Sequence, residues 1–439
     1  MRELYEAHGS DGLPCLRVFS LVVIMCHSRQ TIKIVLTGSF AKFPKALVYK
    51  DLEFGLGEGL VTANGEKWRA HRRIVEKAFH RSALHAMLPK FARHTAEMLD
   101  GWDARLQDSA GEKATGHPDK KDLVTDTFVE MTHLTLDIIC DTGFGYALHS
   151  KCAGGESSEI TLAISALLFE INARFKAMYP FEKFLSCTRM RKSRAAWKVV
   201  NNLVDQHILA QRQRMRSADQ SAAIAAALRK DLRYGSVFGE EKPTRSRELK
   251  YMSLLDHLLQ AELEEGEKSL TSHEVRDEVL TFLGAGHETT ANMLTWTLLE
   301  LAKPENEAVL HKLQTEIDRS PIAITGAATG AELDGSLLSE QLSPASLPYL
   351  GAVCSESLRR HPVVPSFGRR AAEEVQVGGR RFAKGTHFIL NIKAIAHDAT
   401  IWPQPFEFRP ERFLEASAGD MRPFDSVPLS VGARSCIGK

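Results

Sequence analysis

Leu429-Ser-Val-Gly432-Ala-Arg434-Ser-Cys436-Ile-Gly438 decides how the rest of the chain is read. Its two glycines permit positive φ and close backbone approach around a single cysteine, and Arg434, two residues before it, favours a thiolate over a thiol. A glycine-flanked cysteine is weak evidence alone, because most free cysteines are inert core residues. Its weight comes from the segments upstream.

The clearest of these is a helix. Thr271-Ser-His-Glu274 is a capping box, and Pro304 stops the helix near Ala302. At 1.5 Å per residue such an element spans roughly 45 Å. Gly284-Ala285-Gly286 sits at its middle, where each glycine costs about 1 kcal/mol relative to alanine. A ligand pressing on the backbone and close helix packing explain such a weak point equally well. A second helix runs from Pro348, suited to a first turn, to Arg360 before His361-Pro362, and places Glu356 and Arg359 on one face. Taken alone, that pair reads as an ordinary helix-surface ion pair. Strands are expected at Glu374 to Val377, Arg381 to Ala383 and Thr386 to Ile392, separated by Gly378-Gly379 and Lys384-Gly385. Leu123 to Cys140 and Ile160 to Phe175 carry apolar residues at three and four spacing, the mark of core-facing helices. Arg105 to Asp122 and Ser217 to Lys250 are hydrophilic excursions, although Ala222 to Leu228 could continue a helix.

Composition narrows the function. With 439 residues, 44% hydrophobic and 25% charged, the chain can bury a large core, and one domain over 1–439 is the default. Lys plus Arg number 56 against 55 Asp plus Glu, so there is no net field to draw nucleic acid. Seven scattered cysteines without a Cys-x-x-Cys pair speak for a reducing, intracellular compartment. Val18 to Cys26 is far shorter than the ~18 apolar residues of a membrane span and reads as a buried strand.

Four separated segments together resemble the cytochrome P450s, the haem-thiolate monooxygenases. The cysteine loop matches Phe-x-x-Gly-x-Arg-x-Cys-x-Gly except at Leu429. The resemblance makes Cys436 the proximal iron ligand of haem b, with Gly432 shaping the loop and Arg434 pairing with a propionate. A thiolate there pushes electron density onto iron and favours O–O cleavage, the role given for this family's cysteine. Ala285-Gly286-His287-Glu288-Thr289-Thr290 resembles the distal-helix segment, in which Ala285 and Gly286 border the oxygen groove while Glu288 and Thr289 guide protons. A zinc-protease reading of His287-Glu288 fails because position 291 is Ala. Glu356 and Arg359, with Arg412 in Phe408-Arg-Pro-Glu-Arg412-Phe, resemble a structural clamp on one carboxylate. Trp68-Arg-Ala-His-Arg72 resembles a helix whose indole and guanidinium meet a propionate, and Arg369 resembles a further propionate contact. The basic helix with Lys67, Arg69, Arg73 and Lys77 is either a docking face for an electron donor or a solvated surface.

The resemblance implies a mainly α fold with small β-sheets (α+β), incomplete at both ends. It also implies insertion of one atom of O2 into a small apolar substrate, with electrons from an NAD(P)H-dependent reductase. The chain ends three residues after Cys436 and opens without an anchor. The expectation is a cytosolic protein as written, and an endoplasmic reticulum membrane protein if an anchor has been lost. The rivals are a haem-binding pseudoenzyme or inactive fragment, and a haem-thiolate isomerase or dehydratase; the Glu288-Thr289 pair argues against the latter.

Overall fold

The helical periods materialise as a run of helices around one long central helix, with two small sheets beside them. The computed structural model describes residues 13–18, 21–39, 41–108, 124–150, 157–176, 187–232, 252–264, 269–320, 335–414 and 424–439. Its strands are β1 (Cys15–Val18), β2 (Leu21–Cys26), β3 (Ser366–Arg370), β4 (Val375–Val377), β5 (Arg380–Phe382) and β6 (His387–Asn391). Before the central helix come α1 (Arg29–Thr37), α2 (Glu53–Leu56), α3 (Gly65–Val75), α4 (Arg81–Asp108), α5 (Thr127–Phe144), α6 (Glu159–Lys176), α7 (Cys187–Leu232) and α8 (Leu254–Leu263). The central helix is α9 (Ser272–Leu301), followed by α10 (Glu307–Asp318), α11 (Gly335–Gln341), α12 (Pro348–Arg360) and α13 (Ile392–Ala396). This is a mainly α fold with small sheets, as expected.

The larger sheet has the order β1-β2-β6-β3. The apolar run expected as one buried strand is instead the second arm of an antiparallel pair, Cys15 opposite Ile24, and β2 then runs parallel to β6. Strand β3 was not expected, because Ser-Phe-Gly-Arg-Arg lacks apolar alternation; its pairing with β6, Arg369 opposite Phe388, defines it. β4 and β5 form the hairpin across Gly378-Gly379, both at positive φ. Within α6, Leu167 and Ile171 are buried as read, whereas Leu162 is exposed, and the side chain of Phe175 lies outside the described residues. Helix α7 includes Ala222 to Leu228, while 109–123 and 233–251, the bulk of the two hydrophilic excursions, lie outside the described residues.

Helix α9 begins and ends where the sequence places it. Thr271 Oγ1 accepts from the Glu274 amide, and the Glu274 carboxylate accepts from the Thr271 N–H and hydroxyl (3.0 and 2.9 Å). A core of buried residues from α5, α6, α7 and α8 surrounds it, and Ile437, next to Cys436, packs against that same core. The mid-helix glycines serve packing: a Cβ on Gly286 would lie 2.9 Å from Ile139 Cγ1 of α5, and one on Gly284 would lie 2.9 Å from Leu56 of α2. Close helix contact is thus one physical reason for them, and α9 is helical without a break.

Candidate haem site

The cysteine loop is held by its own backbone and by α3. The Cys436 amide donates to the Leu429 carbonyl (2.9 Å), closing the loop on the residue that departs from the family pattern. Gly432 has φ +77, and a Cβ there would stand 2.8 Å from the Leu36 carbonyl oxygen, so this position admits only glycine without strain. Arg72 Nη1 donates to the Ser435 carbonyl (3.0 Å) and its Nε to Glu76 (2.6 Å), tying α3 to the residue beside the cysteine. Cys436 is exposed.

Arg434 lies over the Trp68 indole, its guanidinium carbon 4.0 Å from the ring centroid, and donates to the Ala63 carbonyl (2.8 Å). This stacked, partly desolvated arrangement suits arginine specifically. Arg369 is buried, with Nη1 on the Gly368 carbonyl (3.0 Å), and Lys45 is its bridge partner between segments. Lys45 was missed in the sequence, where a lone lysine before an irregular stretch gives no signal. Its ammonium donates to the carbonyls of Val61 and Leu60 and sits 5.2 Å from the Tyr49 ring centroid.

The electrostatics of these three cations define the site. Burial, followed by the charges of Arg434 and Arg369, pushes Lys45 well below the ordinary lysine range, with Glu278 acting the other way. Burial and then Arg369 push Arg434 down to about 9, and burial lowers Arg369, opposed by Tyr49. Arg369 lowers both Lys45 and Arg434, Arg434 lowers Lys45, and the three donate mainly to backbone carbonyls. An anionic group placed among them would relieve both the desolvation cost and the mutual repulsion. Carboxylate-bearing haem meets that requirement, with Cys436 available as a sulfur donor two residues from Arg434.

On α9, Thr289 Oγ1 donates to the Ala285 carbonyl (2.8 Å) and Thr290 Oγ1 to the Gly286 carbonyl (3.1 Å). Ala285 and Thr289 share a face; Ala285 is half-buried, Thr289 exposed and Glu288 half-buried. His287 points the other way, buried, with Nδ1 2.5 Å from the Leu283 carbonyl oxygen, while its own carbonyl accepts from Thr135 of α5 (3.1 Å). It packs α9 on α5 and belongs to no metal cluster among the described residues.

Glu356 and Arg359 are wholly buried, which corrects the surface-pair reading. Arg359 Nε and Nη2 reach the two carboxylate oxygens (2.6 and 2.8 Å), the Arg409 amide adds 2.9 Å, and Arg412 Nε lies at 3.4 Å. Arg359 also donates to the carbonyls of Ala396 and Pro405, and Arg412 to those of Pro403 and Gln404, so both guanidiniums are satisfied. On the basic helix, Lys67 is paired with Glu58 and Arg69 with Glu66, while Arg73 and Lys77 remain exposed.

A cysteine donor on a glycine-shaped loop beside a partly buried cation cluster is the arrangement of a haem-thiolate protein. The sequence profile described as Cytochrome P450 matches residues 11–439, and the chain belongs to that family. It is similar to Cytochrome P450 4V2 of Rattus norvegicus, 28% identical over 435 residues that cover 97% of this chain and 73% of the relative. It is likewise similar to Cytochrome P450 4F8 of Homo sapiens, 30% identical over 425 residues, 95% of this chain and 72% of the relative. Haem b is therefore the cofactor, and oxidation by a monooxygenase is the general chemistry of the family. No helix among the described residues is long and apolar enough to cross a membrane.

Proposed function

We propose that residues 1–439 act as one catalytic domain that inserts one atom of O2 into a small apolar organic substrate, using electrons from NAD(P)H delivered by a reductase partner. The observation that carries this reading is the cluster of Lys45, Arg369 and Arg434, whose nitrogens donate mainly to backbone carbonyls beside the Cys436 loop. Haem, when bound, supplies the iron at which oxygen is activated.

The residues divide the remaining work. Cys436 is the sulfur ligand, and Gly432 gives its loop the one backbone shape that clears Leu36. Trp68, Arg72, Arg369 and Arg434 would hold the two propionates, the arginines by charge-assisted donation and Trp68 through its indole N–H. Ala285, on the Thr289 face, would border the oxygen groove, and Gly286 lets α9 approach Ile139 of α5 beside it. Thr289, whose hydroxyl rests on the Ala285 carbonyl, can turn to donate a proton, and Glu288 resupplies it. Glu356, Arg359 and Arg412 fix the segment from Ala396 to Arg412 that leads into the cysteine loop. Arg73 and Lys77 give the reductase an exposed basic contact on α3 and the turn after it.

The second reading is haem binding without turnover. The two are separated by supplying haem, a reductase and NADPH under ¹⁸O₂ with an apolar substrate. One heavy oxygen atom in the product, lost in Thr289→Ala, supports the monooxygenase; haem binding with NADPH consumed only to peroxide supports the second reading.

A further inference from the structure

Between Trp68 and Arg72 lies His71, a residue that the cofactor site does not use. It is buried at 2% exposure, and both ring nitrogens face acids: Nδ1 is 2.6 Å from Glu278 Oε1 and Nε2 is 3.4 Å from Glu274 Oε1, both on α9. A neutral imidazole would turn a lone pair toward one of these carboxylates, so the geometry asks for the doubly protonated ring. Glu278 is wholly buried; its Oε1 meets the His71 ring, and its Oε2 has no hydrogen-bond partner among the described residues. Two helices, one bearing the propionate anchors and the other the oxygen-groove face, are thus joined through a buried charge pair.

We propose that His71 and Glu278 form a clasp that positions α3, and with it Trp68 and Arg72, so that haem is held more tightly when His71 is protonated. This rests on the reading that Trp68 and Arg72 meet the propionates. His71 and Glu278 are positioning residues and do not touch the cofactor. Removing the charge from either opens the clasp without altering any propionate ligand.

Other charges face the pair: Lys45, held on the carbonyls of Leu60 and Val61, is coupled to Glu278. On α3 itself, Lys67 bridges Glu58 and Glu274, and Arg72 is engaged by Glu76 and Ser435. On α9, Glu274 also closes the helix cap with Thr271, and Asp277 accepts from the Glu58 amide and faces His273. On α8, Asp256 is bonded to Gln211 and Ser253, and His257 is lowered by burial and then by Lys77. Burial alone would lower His71, but the Glu278 bond and the charges of Glu278 and Glu274 outweigh it and hold the imidazole above its ordinary value. A raised value means the clasp is complete below the ordinary histidine range and is lost as pH rises through the raised one.

The test uses the full chain, with haem affinity from absorbance titration across pH and the His71 ring followed by NMR in the haem-free protein. Glu278→Gln keeps an acceptor of the same shape, so the fold is retained while the charge is lost. The expected results are a His71 titration above the ordinary value in the parent and lower in Glu278→Gln. At neutral pH the variant is expected to bind haem at least tenfold more weakly. Affinity in the parent should fall as pH rises through the His71 titration, and that step should be missing in His71→Gln/Glu278→Gln. Trp68→Phe and Arg72→Gln are the controls. If they leave affinity unchanged, the anchor reading fails and the clasp has nothing to position. If they weaken binding while Glu278→Gln changes neither affinity nor its pH profile, the clasp alone is overturned.

Discussion

Replacing Arg359 with leucine removes the centre of the Glu356 clamp and gives the sharpest stability test of the fold. In the native chain Arg359 makes two charge-assisted bonds to Glu356 (2.6 and 2.8 Å) and three to the carbonyls of Ala396 and Pro405 (2.6, 3.0 and 3.0 Å). Both partners are fully buried, so neither can recover water when the other leaves. Breaking such a pair from one side costs about 3–5 kcal/mol, because an uncompensated charge stays behind. Here Glu356 retains the Arg409 amide at 2.9 Å and Arg412 at 3.4 Å, which places the expected loss near the lower figure, about 3 kcal/mol. The segment from Ala396 to Glu407 loses its tether as well, so haem capture should fall together with stability. Urea unfolding of parent and Arg359→Leu, followed by tryptophan fluorescence, measures the first effect, and absorbance titration with haem the second. A loss under about 1 kcal/mol with unchanged haem capture would show that the clamp is an incidental pair, the value typical of exposed ion pairs.

Three further outcomes follow from the geometry. Gly432→Ala places a Cβ against the Leu36 carbonyl at positive φ, and should cost about 1–3 kcal/mol in the same unfolding assay while abolishing haem capture. Arg434→Met keeps the bulk over Trp68 but removes the cation, and should weaken haem binding by about tenfold, the worth of roughly one hydrogen bond to a charged group; unchanged affinity would remove Arg434 from the propionate site. Glu274 is held at about 2, because the two bonds from Thr271 and the charges of His71 and Lys67 outweigh the burial that would raise it. A lowered carboxyl stabilises above its ordinary value, so stability should fall as pH drops from about 4.5 towards 2, and Thr271→Val should shrink that fall in acid unfolding curves.

What the sequence disclosed depended on how local the signal was. The bounds of α9 were legible because a capping box and a following proline act within a turn of the residues they organise. The Glu356–Arg359 pairing was legible from its spacing, but its burial was not, since the enclosing carbonyls come from Ala396, Pro405 and Glu407, some forty residues on. Lys45 and His71 carry no local mark at all; their partners are Val61 and Arg369 in one case and Glu278, 207 positions away, in the other. The mid-helix glycines were legible as an anomaly but not as a cause, because Ile139 and Leu56 meet them only in three dimensions. Strand β3 escaped notice because its side chains lack alternation and β6 alone gives it a partner in the larger sheet.

Sulfur ligation by Cys436 is read directly by the carbon monoxide difference spectrum of the dithionite-reduced, haem-loaded chain. The parent should give the long-wavelength band from which the family takes its name, and Cys436→His should bind haem yet lose it. A parent spectrum like that of a histidine-ligated haem, identical in the two proteins, would contradict the assignment.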